Sequence, residues 1–236
     1  MEIPLYLLIL LIEWVMLVTV AAPMFFAGRF NKAPNIGIWL WFTILISAVL
    51  ATAVSVVIAT VSIFTTWQNL SAGQNLGITL LESFAPWVLL GAAGTLLALA
   101  NQRLAPLFAI KDKLDPLADR AARQIMAYRK AQIMELDVPG YFALTRDKQI
   151  YLSKAVFELP AKQLAAIMRH EYGHIKFRHQ NLKQFAYLFY RLFPWVVASR
   201  ALVYEIERLC ELSAYKYAIY RVYSKDLIEA RSKLSY

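Results

Sequence analysis

Arg169-His170-Glu171-Tyr172-Gly173-His174 is the stretch on which the reading of this chain turns. It contains H-E-x-x-H. On an α-helix, residues i and i+4 lie one above the other on one face. His170 and His174 can therefore each aim an imidazole nitrogen at one metal ion. Glu171 projects about 100° round the helix, near enough to serve a water on that ion without binding it. Two imidazoles and a flanking carboxylate at this spacing suit zinc-assisted hydrolysis of a peptide bond.

The flanks of the motif read as a small α+β unit. Pro160 is placed to open a helix over about 161–177, with Ile167 on the histidine face and Leu164 at its border. Upstream, Val138-Pro139-Gly140 is a turn, and 141–144 and 149–153 are short strands split by the polar turn Thr145-Arg146-Asp147-Lys148. The 149–153 strand is expected to offer an edge to an extended substrate. Leu117, Ala121, Ile125 and Tyr128 recur at helical spacing, which predicts an amphipathic helix from 117 to about 134. Pro106 and Pro116 punctuate the connector before it. Downstream, 185–202 is apolar but holds Arg191, Pro194 and Arg200. A fourth span is one reading; a core or membrane-embedded helix kinked at Pro194 is preferred, because crossing here would separate Glu205 and Glu207 from the histidines, and a strong helix over 201–223 follows.

A catalytic zinc keeps three protein ligands, so two histidines need a partner. The remaining histidine, His179, would lie about 140° round a continuing helix from His174 and is expected to point elsewhere. The third ligand is then a carboxylate from Glu205, Glu207, Glu211, Asp226 or Glu229. Glu207 and Glu211 stand at i, i+4 on one helix face. Glu207 is expected to bind the metal, with Glu211 holding a zinc-bound histidine from behind. Glu205, about 160° from Glu207 on that helix, is the other option. For a donor to the oxyanion, Arg208, Tyr215 and Arg221 are candidates. Cys210 reads as a small buried residue rather than a nucleophile.

Composition adds an address. Of 236 residues 59% are hydrophobic and 17% charged, against about 45–50% and 25% in soluble domains. Residues 1–100 hold Arg29 and Lys32 against Glu2, Glu13 and Glu82, a net charge of −1. The rest carries 23 basic and 13 acidic residues, net +10, which restores the total of +9. Apolar runs at about 3–27, 36–66 and 78–100 are each long enough to span a bilayer, with Trp41 and Trp67 as interfacial anchors. Basic residues gather in the 28–35 loop and after residue 101, so both are expected inside and the N-terminus outside. No nucleic-acid reader motif accompanies the positive charge. One cysteine excludes an internal disulfide and fits a reducing compartment.

Taken together, VPGYFALTRDKQIYLSKAVFELPAKQLAAIMRHEYGHIKFRH and ERLCELSA, after three apolar runs, resemble the integral-membrane gluzincin proteases. The HEYGHIKFRH segment is similar to the branch of CAAX prenyl proteases and heat-shock membrane proteases. The short gap to Glu207 and the cysteine before Glu211 are similar to the β-lactam-sensing antirepressor branch. The resemblance covers about residues 105–220. It implies a zinc-ligand glutamate followed four residues later by an aspartate, which matches Glu207 and, with glutamate in place of aspartate, Glu211. A β-lactam receptor role is not expected.

The expectation is a mainly α membrane protein. Residues 1–104 supply three transmembrane helices, and 105–236 form a zincin-like α+β catalytic domain with a small β-hairpin. Its function would be zinc-dependent endoproteolysis of proteins or peptides at the cytoplasmic face of a bacterial membrane, regulatory proteolysis being one form. Its partners are a protein or peptide substrate and the lipid bilayer, not nucleic acid. The alternative is a non-catalytic membrane interaction protein with structural zinc, against which the intact Glu171 argues.

Overall fold

The structure, a computed structural model, describes residues 2–71, 76–104, 122–220 and 224–234. Contacts divide the chain into two units. One takes Met1–Phe30, Ile36–Ile110 and Phe189–Glu205; the other takes Asn31–Asn35, Lys111–Leu188 and Ile206–Tyr236.

The first unit is built from the apolar runs. Helix α1 (Glu2–Met16) passes through one π turn (Leu17–Ala21) into α2 (Ala22–Phe26). Pro23 has no amide hydrogen to give the turn before it, and the widened turn sits there. Helices α3 (Pro34–Ser71) and α4 (Leu76–Leu104) follow, so each expected apolar run falls on helix. Among the described residues, Tyr6–Phe26 and Pro34–Thr65 are long and apolar enough to cross a membrane; the apolar part of α4, Ser83–Leu99, is shorter. Only 28% of each long stretch is buried, so most of this apolar surface faces outward, as at Leu10, Trp39 and Phe64. Trp41 is not the exposed anchor its sequence position suggests. It is 1% exposed, with its ring edge-on to Phe26.

The second unit holds a four-stranded sheet: β1 (Ala122–Tyr128), β2 (Ala131–Leu136), β3 (Ala143–Arg146) and β4 (Gln149–Ser153), in the order β1-β2-β4-β3. β2 and β4 run parallel and the outer pairs antiparallel. This corrects two expectations. The helix predicted over 117–134 is, in its described part, a hairpin; 117–121 and the connector prolines lie outside the described residues. Its Ala, Arg, Gln and Met residues favour helix locally, but pairing of β2 with β4 buries Ala131 and Ile133 in the core, and tertiary burial overrides propensity. The second correction concerns the free edge. β4 is paired on both sides, so β3, not 149–153, is the sheet edge on the motif's side.

Helices α5 (Lys154–Phe157), α6 (Ala161–Lys176), α7 (His179–Leu192), α8 (Val197–Ile219) and α9 (Ser224–Lys233) follow the sheet. Pro194 separates α7 from α8 rather than kinking one helix, because it cannot donate and disfavours helix in the residue before it. Ile133, Ile150, Leu152 and Val156 from the sheet side pack with Ile167 of α6 in one core. Helices α6 and α8 meet at Gly173. A Cβ there would lie 3.1 Å from Ala214 Cα and 3.3 Å from Ala214 Cβ. Gly173→Ala gains about 1 kcal/mol of helix propensity but overpacks a helix backbone, at about 1–3 kcal/mol. The expected result is a net loss of about 1 kcal/mol of unfolding free energy, seen as a lower urea midpoint; a raised midpoint would show that α8 yields.

Candidate metal centre

Helix α6 presents His170 and His174 to Glu211 of α8 and Glu171 to Thr145 of β3. His170 Nε2 lies 3.4 Å from His174 Nε2. The carboxylate of Glu211 reaches both rings, with Oε2 3.4 Å from His170 Nε2 and Oε1 3.6 Å from His174 Nε2. A tetrahedral ion with donors at about 2.0–2.1 Å requires those donors to stand about 3.3–3.4 Å apart. The two imidazole nitrogens, 3.4 Å apart, meet that requirement, and with one carboxylate oxygen of Glu211 all three donor atoms lie within 4.8 Å of one another. They form the one metal-capable group of three among the described residues.

Glu207, expected as the third ligand, is exposed and outside this group. The helix crossing explains the exchange. Glu211 is three residues from the Gly173–Ala214 contact, about 4.5 Å along α8, while Glu207 is seven residues away, about 10 Å. Glu205 instead accepts a hydrogen bond from the Gly28 amide at 3.3 Å. Glu229 pairs with Gln163 and Lys225.

Glu171 is buried. Thr145 on β3 donates its hydroxyl to Glu171 Oε2 at 2.7 Å, with Glu171 O at 3.1 Å. Burial pushes the Glu171 carboxyl above its ordinary range, against the opposing effects of His170 and Thr145. Glu211 moves the other way. Burial alone would raise it, but the hydrogen bond with His170 and the fields of His174 and Lys183 hold it well below the usual carboxylate range. Lys183 Nζ on α7 is 3.2 Å from Glu211 Oε1, and Arg231 on α9 is 3.5 Å from Oε2.

His179 departs most from the sequence reading. Helix α6 ends at Lys176, and Arg178 takes a left-handed conformation, φ 54°. The chain reverses there, so the angle of a continuing helix no longer applies. His179 is 1% exposed, with Nδ1 3.0 Å from His174 Nδ1. Sequence reasoning also missed Thr145, Lys183 and Arg231. Lys183 is four residues after His179 on one helix face, a spacing that could have suggested it; Thr145 and Arg231 carry no comparable signal. Of the oxyanion candidates, Arg208 bonds Asn31, Tyr215 packs on Ala166, Ala218 and Leu227, and Arg221 lies outside the described residues. Cys210 is fully buried, its thiol pushed up to about 12 by that burial, which keeps it protonated and inert. A groove of about 690 Å³ opens beside the centre, lined by Thr145, Lys148, His174, Arg178 and Lys183 among others.

The family model for peptidase family M48 matches residues 108–227. The chain belongs to peptidase family M48. No curated protein and no solved structure matches it. Family M48 implies a metallopeptidase, and its members generally use zinc. The matched span contains the sheet, α6, Glu211 and the start of α9, so this M48 chain draws every residue of its metal group from the family domain.

Without metal, the M48 site makes stability depend on pH. Burial lowers His174 to about 2 and His179 to about 4 from an ordinary 6.5. Both rings are neutral when folded and take protons on unfolding, so stability is lost as pH falls from 6.5 toward those values. For His179 alone the fall to about 4 is worth about 3 kcal/mol. The raised Glu171 opposes this, adding stability as pH falls. Urea unfolding of the chelated protein from pH 7 to pH 4 should show a net loss; a flat profile would contradict the neutral histidine pair.

Proposed function

We propose that this chain is a membrane-embedded zinc endopeptidase that cuts proteins or peptides at the cytoplasmic membrane face. The observation that carries the reading is the convergence of one donor atom each from His170, His174 and Glu211 within 4.8 Å, beside buried Glu171, on an M48 domain. His170, His174 and Glu211 would hold the ion. When bound, zinc supplies a Lewis acid of the kind that polarises a carbonyl and acidifies water.

The chain's own residues supply the rest. Thr145 holds Glu171 at Oε2, which leaves Oε1 to take and return a proton. Burial raises the proton affinity of that carboxyl, which suits a group that must accept a proton and then give it to a leaving amine. β3 is a sheet edge next to Glu171, so an extended substrate can pair with it by backbone hydrogen bonds.

The outward apolar faces of Tyr6–Phe26 and Pro34–Thr65 support the membrane address. The 31–35 loop supports the sidedness. Asn35 accepts a hydrogen bond from Ser213 at 2.7 Å, and Lys216 bonds the Lys32 carbonyl, so residues 31–35, with Lys32, belong with the metal-bearing unit. Regulatory proteolysis is the form of this function that a membrane-held peptidase suits. A non-catalytic protein with structural zinc is the competing reading, but such a site has no use for a buried base held by Thr145.

The test is cleavage of an unstructured protein by the purified full-length chain in detergent. Activity should vanish with a zinc chelator and in Glu171→Gln. Zinc bound without any Glu171-dependent cleavage would establish the structural reading instead.

A further inference from the structure

We infer that His179 is a positioning residue for the metal centre: its Nδ1 accepts the Nδ1–H of His174 and so fixes which nitrogen His174 turns to the ion. The inference rests on the zinc-centre reading above and assigns a role that H-E-x-x-H does not contain.

Three observations converge on it. The first is the contact itself, Nδ1 to Nδ1 at 3.0 Å. Two imidazole nitrogens at that distance share one proton, so one ring donates and the other accepts. His174 Nε2 faces His170 Nε2 and Glu211. A ring that offers its Nε2 lone pair to a metal carries its hydrogen on Nδ1. His174 is then the donor and His179 the acceptor.

The second observation is what this arrangement leaves unmet. An accepting His179 carries its own hydrogen on Nε2, and that atom is buried with no hydrogen-bond partner among the described residues. A buried donor without a partner costs about 1–3 kcal/mol. An apolar ring would fill the place beside Phe177, on which His179 stacks at 5.7 Å, without that cost. Stability therefore does not explain an imidazole here, whereas its bond to His174 does.

The third observation is the backbone. Arg178, a residue with a Cβ, is held at φ 54° immediately before His179. That conformation costs about 1–2 kcal/mol for an L-residue, and such strain persists where the surroundings over-determine it. Here it ends α6 and swings the first residue of α7 back onto His174.

Metal-bound histidines commonly donate their far nitrogen to a partner that sets tautomer and ring orientation, and losing that partner costs about 10–100-fold in metal affinity. The test is zinc affinity of the full-length chain, by competition with a chelating dye, with the cobalt-loaded absorption spectrum as a second readout. His179→Phe keeps a flat ring and removes the acceptor; His179→Asn places an amide oxygen near the position of Nδ1. Phe should weaken zinc about 10–100-fold and alter the cobalt spectrum, with the metal-free melting temperature unchanged or raised. Asn should stay within about threefold of wild type. His179→Leu replaces Phe if Phe does not fold. Wild-type affinity in the apolar variant would overturn the inference. So would an Asn variant that falls as far as Phe, because shape and not the acceptor would then matter. A wild-type chain that binds no zinc would instead remove the metal-centre reading, and this inference with it.

Discussion

Glu211→Gln should strip the centre of tightly held zinc, and Glu207→Gln should leave affinity within about threefold of wild type. Loss of a partner that only orients a ligand costs about 10–100-fold, so loss of one of three ligands should exceed about 100-fold. The difference follows from where α8 crosses α6. Glu211 sits one turn from the Gly173–Ala214 contact and puts one carboxylate oxygen within 3.4 Å of His170 Nε2 and the other within 3.6 Å of His174 Nε2. Glu207, a further turn along, is exposed. Removing the Glu211 charge also takes from Lys183 and Arg231 the anion they share beside the histidines, and positive charge near the site opposes a metal ion. Dye competition on both variants decides the matter. Zinc lost from Glu207→Gln and kept by Glu211→Gln would return the ligand to Glu207, where the sequence pattern put it.

Glu171→Gln should lower kcat by about 10²–10⁴-fold, the usual contribution of a positioned acid–base group, while zinc affinity changes little. The amide matches the carboxylate in shape and can still accept the Thr145 hydroxyl, so the site stays assembled and loses only its proton carrier. The metal-free variant should also be more stable than wild type at neutral pH. Burial raises the Glu171 carboxyl, so ionised Glu171 costs the fold stability above its ordinary range, and an uncharged amide does not. Steady-state cleavage and thermal unfolding of the same two proteins measure both effects. A variant that keeps kcat would remove Glu171 from the chemistry.

The chemistry-bearing turn was legible because it is local. His170, Glu171 and His174 depend only on the 3.6-residue period of one helix, and α6 runs over Ala161–Lys176, close to the 161–177 read from Pro160 and the apolar face. The long apolar runs were legible for the same reason, since length and hydropathy are properties of a segment alone. The hairpin of β1 and β2 was not, because residues with helical propensity there become strand only by pairing with β4, a partner 17 residues away in register.

The amino-acid sequence by itself determined the pairing of two histidines on one helix face, the carboxylate between them and the apolar character of the first hundred residues. Tertiary structure decided the rest of the site. It placed Glu211, and not Glu207, beside the histidines by the position of a helix crossing, brought Thr145 to Glu171 from a sheet edge, and turned His179 onto His174 through one left-handed residue. In each case the deciding quantity is a distance between segments far apart in the chain or beyond a helix end, and helical periodicity carries no information about either.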